Sequence, residues 1–243
     1  MTHNNFFDIH SHILFDVDDG PKEIAESMSL LRAEKEMGAK AVALTPHFYA
    51  NRMELDPFVS LAKERFEVFK NDSRNCNVEL VLGFEVAYFR NISRAEAITG
   101  LTYNNSKFLL LEMIPPLNEF AIEEVKELYY SFGLKPILAH LERYSKVNGY
   151  KNLLKLVEDG FVKAQVNASA FPDKTSRKEA LNLIKNGYAD FLASDTHSLG
   201  TRPPLFDTAF EIINNQLGEK TAEKLAENSR NLYCKITGQN WEY

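Results

Sequence analysis

Apolar residues follow two rhythms along this chain. In 22–37, Ile24, Met28 and Leu31 recur at helical spacing, with Lys and Glu between them. In 119–132, Phe120, Ile122, Val125, Leu128, Tyr129 and Phe132 make a broad apolar face of the same period. Between such helical segments stand short apolar runs that stop at polar residues. Four share one grammar: "GAKAVALTPH" from Gly38, "GLKPILAHLER" from Gly133, "GFVKAQVNAS" from Gly160 and "GYADFLASDTH" from Gly187. Each opens on a glycine, as the end of a preceding helix favours. The last three glycines recur every 27 residues, room for one helix and one strand per unit. "FFDIH" at 6–10, "VELVLGFE" at 78–85 and "FLLLE" at 108–112 bring the expected strands to seven. No Pro/Gly/Ser linker or charge block divides the chain, so 1–243 reads as a single α/β domain, a parallel barrel, with a longer connection in 86–107.

Parallel barrels place their chemistry at the C-terminal ends of strands. Here those ends read His10 and His12, then His47, Glu85, Glu112, His140, Asn167, and finally Asp195 and His197. Side chains two apart on a strand share a face, so His10 with His12, and Asp195 with His197, can each aim two donors at one point. A lone histidine or glutamate after a strand is more often a packed or hydrogen-bonded residue. The set is different, because buried carboxylates are costly unless paired or bound to metal. Imidazoles among carboxylates suit manganese, iron or zinc. Of the six histidines only His3 stands apart from this pattern.

Composition narrows the classes without changing that picture. The 243 residues are 44% hydrophobic and 26% charged, ordinary for a soluble globular chain. A net charge of −6 argues against a general nucleic-acid surface. "MTHNN" is polar, and no apolar run approaches the ~20 residues that span a bilayer, so no targeting signal and no membrane insertion are expected. The two cysteines, Cys76 and Cys234, fit a reduced, cytoplasmic protein. Neither has the arginine six residues on that a C-x5-R phosphatase nucleophile needs: Leu82 and Asn240 stand there.

The stretch "DIHSHILFDVDDGP" matches two other motifs imperfectly. Gly20 stands where a haloacid-dehalogenase-type phosphatase needs Thr or Val, and where an EF-hand loop needs a third ligand. Asp16 and Asp18 then read as a solvated turn or a cap for the helix after Pro21. Taken in order, H-x-H, T-P-H, G-x-E, L-E, H-x-E-R-Y and D-x-H resemble the PHP (polymerase and histidinol phosphatase) superfamily. "DIHSHILFDVDDGP", "TPHFY", "LAHLERY" and "SDTHSLGTRPP" are closer still to its metal-dependent protein-tyrosine phosphatases of the CpsB/CapC and YwqE type. The likeness spans residues 6 to about 230.

That resemblance implies a PHP-type distorted seven-stranded (β/α)7 TIM-like barrel. It implies a metal-dependent protein-tyrosine phosphatase that hydrolyses phosphotyrosine through a metal-bound hydroxide at a trinuclear site. Manganese is the expected metal, with iron or zinc as alternatives. Carried over by position, His10, His12, Glu85 and Asp195 would bind one ion. Glu85 would bridge to a second, also held by Glu112 and His140. Asp19, His47 and His197 would bind a third, and Arg143 and Arg202 would hold the phosphate. The implied partner is a phosphotyrosine protein, a bacterial tyrosine autokinase in capsule or exopolysaccharide regulation. The loop "FYANRMELDP" at 48–57 departs from relatives and leaves substrate preference open. Arg52 there reads as a substrate contact or a solvated side chain, and Tyr49 and Tyr88 as pocket lining or packing. The alternatives are another PHP hydrolase, either a histidinol-phosphate phosphatase or an exonuclease, and a non-catalytic regulatory protein.

Overall fold

A computed structural model describes residues 5–241; His3 lies outside them. The strands are β1 (Phe6–Ser11), β2 (Ala39–Leu44), β3 (His47–Phe48), β4 (Glu79–Leu82), β5 (Glu85–Ala87), β6 (Phe108–Glu112), β7 (Lys135–Leu138), β8 (Lys163–Asn167) and β9 (Phe191–Ala193). The helices are α1 (Ile24–Glu36), α2 (Leu55–Asp72), α3 (Glu119–Phe132), α4 (Tyr150–Glu158), α5 (Lys174–Lys185), α6 (Phe206–Leu217) and α7 (Glu219–Thr237). All strand pairs are parallel. Two of the seven expected strands are broken. Thr45–Pro46 separates β2 from β3, because proline cannot donate to the ladder, and Gly83–Phe84 separates β4 from β5. The pieces form sheets ordered β1-β2-β4 and β3-β5-β6-β7-β8-β9, a distorted (β/α)7 barrel. Backbone bonds from Gly83 N to Leu44 O (2.9 Å) and Glu85 N to Pro46 O (3.2 Å) carry the pairing across the breaks. At the other side Asp195 N bonds His10 O and His12 N bonds Thr196 O, both at 2.8 Å, so the last strand meets the first.

Alternation along the strands sorts their side chains. Phe7, Ile9, Ala41, Ala43, Leu110, Ile137, Phe191 and Ala193 form one buried cluster, into which Leu232, Tyr233 and Ile236 of α7 pack. The opposite face, with Val42, Leu44, Leu109, Leu111, Leu138 and Val166, packs under the surrounding helices. The expected helix 119–132 is α3, and Gly133 ends it in the left-handed conformation at φ 67°. Of the irregular stretch 86–107, the first two residues finish β5 and the rest runs through 3-10 turns at Ile92–Arg94, Glu96–Leu101 and Tyr103–Asn105, which deliver Tyr103 into the interior cluster. Its hydroxyl donates to Ile9 O at 2.7 Å.

The Tyr103 ring leaves no space at Gly83, where a Cβ would lie 2.5 Å from Tyr103 Cδ1. Gly83→Ala is expected to destabilise the fold by about 1–3 kcal/mol, the usual cost of overpacking. Denaturant unfolding measures it. A change below about 0.5 kcal/mol would mean that the ring yields freely.

Candidate metal centre

One irregularity in β1 creates the first half of the site. Asp8 pairs with Val42 and Ser11 with Leu44, so β1 holds one residue more than β2 between these points. This bulge resets the alternation: after Phe7 and Ile9 enter the interior cluster, His10 and His12 point to a common site. Their Nε2 atoms are 3.0 Å apart. On β6, Glu112 follows Phe108 and Leu110 by simple period two. His140 and Asp195 do not keep their strands' geometry. They adopt left-handed backbone, with φ of 37° and 52°. Such conformations cost about 1–3 kcal/mol each and persist where the surroundings dictate them.

The sequence-expected donors converge. His10 Nε2 and His12 Nε2 stand 3.4 and 3.3 Å from Glu85 Oε2, and 3.7 and 3.5 Å from Asp195 Oδ1. His140 Nε2 lies 2.9 Å from Glu85 Oε1 and 3.6 Å from Glu112 Oε1. Asp19 Oδ1 lies 3.2 Å from His197 Nε2 and 3.6 Å from His47 Nε2. The groups also overlap. His12, Asp19, His47 and His197 can offer atoms within 4.8 Å of one another; so can His10, His12 and Asp195, and His47, Glu85 and Glu112. His47 thus faces both Asp19 and Glu85.

Outer hydrogen bonds decide which ring nitrogens point inward. Asp18 Oδ2 accepts from His12 Nδ1 at 2.6 Å. The amide orientation that satisfies Gln165 lets its oxygen accept from His140 N at 2.7 Å and from His10 Nδ1 at 3.1 Å. His197 Nδ1 donates to Asp195 O at 3.0 Å. In all three rings Nε2 is left free for a ligand's role. Glu85 Oε2 and His47 Nδ1 lie 2.7 Å apart, and these two atoms and His197 Nε2 are buried without a well-formed hydrogen bond. Orphaned donor atoms of these types, gathered in one place, fit divalent transition metals.

The electrostatics agree. Burial opposes ionisation of Glu85, but His10, His12 and His140 outweigh it and hold the carboxyl well below its usual range. Burial also opposes ionisation of Asp195, and the charges of His10, His12 and Arg143 likewise bring it down. Burial opposes a charge on His12, yet Asp18 and Glu85 push it up to about 10. The acidic partners thus favour a charged imidazole, and a cation at Nε2 would take the place of that proton. Burial raises Glu112, with Glu85 adding to it.

The arginines stand at the rim. Arg143 Nη2 donates to Asp195 Oδ2 at 2.6 Å and Arg202 Nη2 to Asp195 Oδ1 at 2.8 Å, with 44% and 36% of their side chains exposed. Of the expected pocket aromatics, Tyr49 lies 5.2 Å from the His47 ring, with Arg52 5.0 Å over its own ring. Tyr88 instead commits its hydroxyl to Glu124 of α3 at 2.6 Å.

Sequence reasoning missed Gln165, read Asp18 as a solvated turn or cap, and put Asn167 at a strand end without giving it a role. Asp16 is an exposed turn residue paired with Arg65, as expected, but Asp18 is not: its side chain is 3% exposed and sits behind His12. It also accepts from Gly20 N and His47 N. Gln165 and Asn167 share one strand face, and Asn167 Nδ2 donates to Asp195 Oδ2 at 2.7 Å. Q-x-N on β8 has the same period as H-x-H, and that was the available signal. Asp18→Asn is expected to weaken metal binding by about 10–100-fold with the fold intact. Titration of a metal-stripped sample against a chromogenic chelator measures it, and unchanged affinity would deny Asp18 its orienting role.

A family model, "Capsular polysaccharide synthesis, CpsB/CapC", matches residues 6–233. The chain belongs to this family. Among CpsB/CapC relatives, tyrosine-protein phosphatase CpsB of Streptococcus agalactiae is 30% identical over 237 residues, covering 93% of this chain and 97% of the relative. Tyrosine-protein phosphatase YwqE of Bacillus subtilis is 27% identical, covering 91% and 89%. A solved structure from work on YwqE of B. subtilis and CpsB of Streptococcus pneumoniae, described as unique metal-dependent tyrosine phosphatases, superposes with a TM-score of 0.80. It is 23% identical and covers 97% of this chain and 96% of its own, so it supports the CpsB/CapC barrel described above.

Proposed function

We propose that the chain is a metal-dependent protein-tyrosine phosphatase that holds three divalent ions, manganese foremost. His10, His12, Glu85 and Asp195 would hold the first ion. Glu85, Glu112 and His140 would hold the second, and Asp19, His47 and His197 the third. The observation that carries this reading is the convergence of nine donors, three of whose imidazoles have Nδ1 already committed outside the site. Family membership and the relatives' names support the phosphotyrosine substrate.

Bound divalent ions supply Lewis acidity, offsetting phosphate charge and making a water acidic enough to attack phosphorus near neutral pH. The chain's own groups would do the rest. A phosphate monoester carries about two negative charges. The forked guanidiniums of Arg143 and Arg202 suit its equatorial oxygens. A phenol has a pKa near 10, so tyrosinate departs with less need of a general acid than a serine alkoxide would. Cys76 is buried, and Cys234 packs from α7 against the interior cluster, so water rather than a thiol is the nucleophile. The reading extends to a bacterial tyrosine autokinase as substrate, in capsule or exopolysaccharide regulation in the cytoplasm. No helix among the described residues is long and apolar enough to cross a membrane.

The test strips metal with chelator and restores Mn, Fe, Zn or Mg. Phosphate release is then measured from a phosphotyrosine peptide, a phosphoserine peptide and histidinol phosphate, and nucleotide release from single-stranded DNA. Metal-dependent release mainly from phosphotyrosine is expected. Preference for histidinol phosphate or DNA would move the chain to another PHP activity, and silence on all with metal bound would favour a regulatory protein.

A further inference from the structure

A cleft of about 650 Å³ opens beside the metal centre, lined by Asp19, Pro21, Lys22, Glu26, Leu199 and Arg202 among others. Asp19 and Arg202 belong to the proposed centre, so the cleft is continuous with it. Its volume lies within the ~300–1,000 Å³ that accommodates ligands far larger than one phosphoryl group. One wall is the start of α1. The other is a tight hairpin, where Ser198 bridges Arg202 in antiparallel fashion.

That hairpin is fixed at its base. His197 N and Thr196 Oγ1 bond Arg202 O at 3.0 and 2.8 Å, and Ser198 Oγ meets Thr201 Oγ1 at 2.9 Å across the turn. Its arms carry His197 and Arg202. Its tip presents Leu199, 51% exposed, over the cleft. An apolar side chain held on a rigid turn, half in water and beside a phosphate-binding arginine, is placed to meet whatever adjoins the phosphate.

The α1 side of the cleft carries both charges, the Lys22 ammonium and the Glu26 carboxylate. Glu26 is committed to the start of the helix, where its Oε2 accepts from Lys22 N at 2.9 Å and Glu23 N at 3.4 Å. The Lys22 ammonium has three donors, one of which goes to Asp18 O. Two remain for a carboxylate from outside.

We propose that this cleft receives the peptide flanking the phosphotyrosine, with Leu199 packing an apolar side chain and Lys22 pairing an acidic one. The proposal rests on the phosphatase reading and adds substrate selection to it. A small aryl phosphate occupies only the phosphate site, whereas a phosphopeptide also fills the cleft.

The metal-loaded enzyme and its Lys22→Glu and Leu199→Ser variants are assayed on 4-nitrophenyl phosphate and on two phosphotyrosine peptides. One peptide has acidic and apolar flanks, the other has glycine and serine flanks. The wild type prefers the acidic, apolar peptide. In each variant the ratio of its kcat/KM to that for 4-nitrophenyl phosphate falls about tenfold, chiefly through KM. The glycine–serine peptide shifts little. Unchanged ratios in both variants would overturn the cleft assignment while leaving the phosphatase reading standing. A wild type silent on the aryl phosphate and on both peptides would overturn the reading and the assignment together.

Discussion

His12→Ala loses metal and, with it, at least about a thousandfold in phosphatase activity, since bound metal contributes several kcal/mol to the transition state. His12 belongs to two of the three donor groups. Its Nε2 faces His10, Glu85 and Asp195, and it also belongs with Asp19, His47 and His197. Its ring packs 3.9 Å from that of His197 and 4.2 Å from that of His47, so its removal also loosens neighbours. Asp195→Asn separates the two effects, because the amide keeps the carboxylate's volume and loses its charge. Both variants are expected to fold, with metal counted by elemental analysis and turnover measured on a phosphotyrosine peptide. Full metal content and activity in both would remove the site assignment.

Arg143→Ala is expected to retain metal and lose about 10²–10³ in kcat, the usual cost of one charge-stabilising donor. The guanidinium reaches Asp195 through one nitrogen and is 44% exposed, which leaves the rest of its fork toward solvent and an incoming phosphate. Lysine restores charge without the fork, so Arg143→Lys recovers only part of the loss. Elemental analysis beside steady-state kinetics decides the matter. If metal leaves with the arginine, then Arg143 supports Asp195 rather than the phosphate.

Much of this architecture was legible because it obeys local rules. The glycine that ends each helix and the apolar run after it gave the four strand-helix units of the barrel, and period two placed Glu112 at the end of β6. What was not legible depends on contacts distant in sequence. The bulge in β1 that re-aims His10 and His12 appears only against β2. The breaks at Thr45–Pro46 and Gly83–Phe84 interrupt strands that read as continuous, and Tyr103, whose ring packs against Gly83, comes from an irregular stretch with no period at all. Asp18 looked like a turn residue because "DVDD" is acidic and short. Its burial is imposed by His12 and the His47 backbone, which no local pattern records.

The junction of β9 with β1 gives the centre a place in time. Asp8 and Ser194, bonded across it, lie 186 residues apart in the chain. Ribosomes add about 5–20 residues per second, so roughly ten to forty seconds separate the emergence of the first histidines from that of Asp195 and His197. Throughout that interval the early donors have no complete set of partners, and closing so long a loop is among the slower steps of folding. Secure capture of metal thus reports that the whole ring has been made and joined, and a nascent chain stalled before Asp195 stays chemically silent.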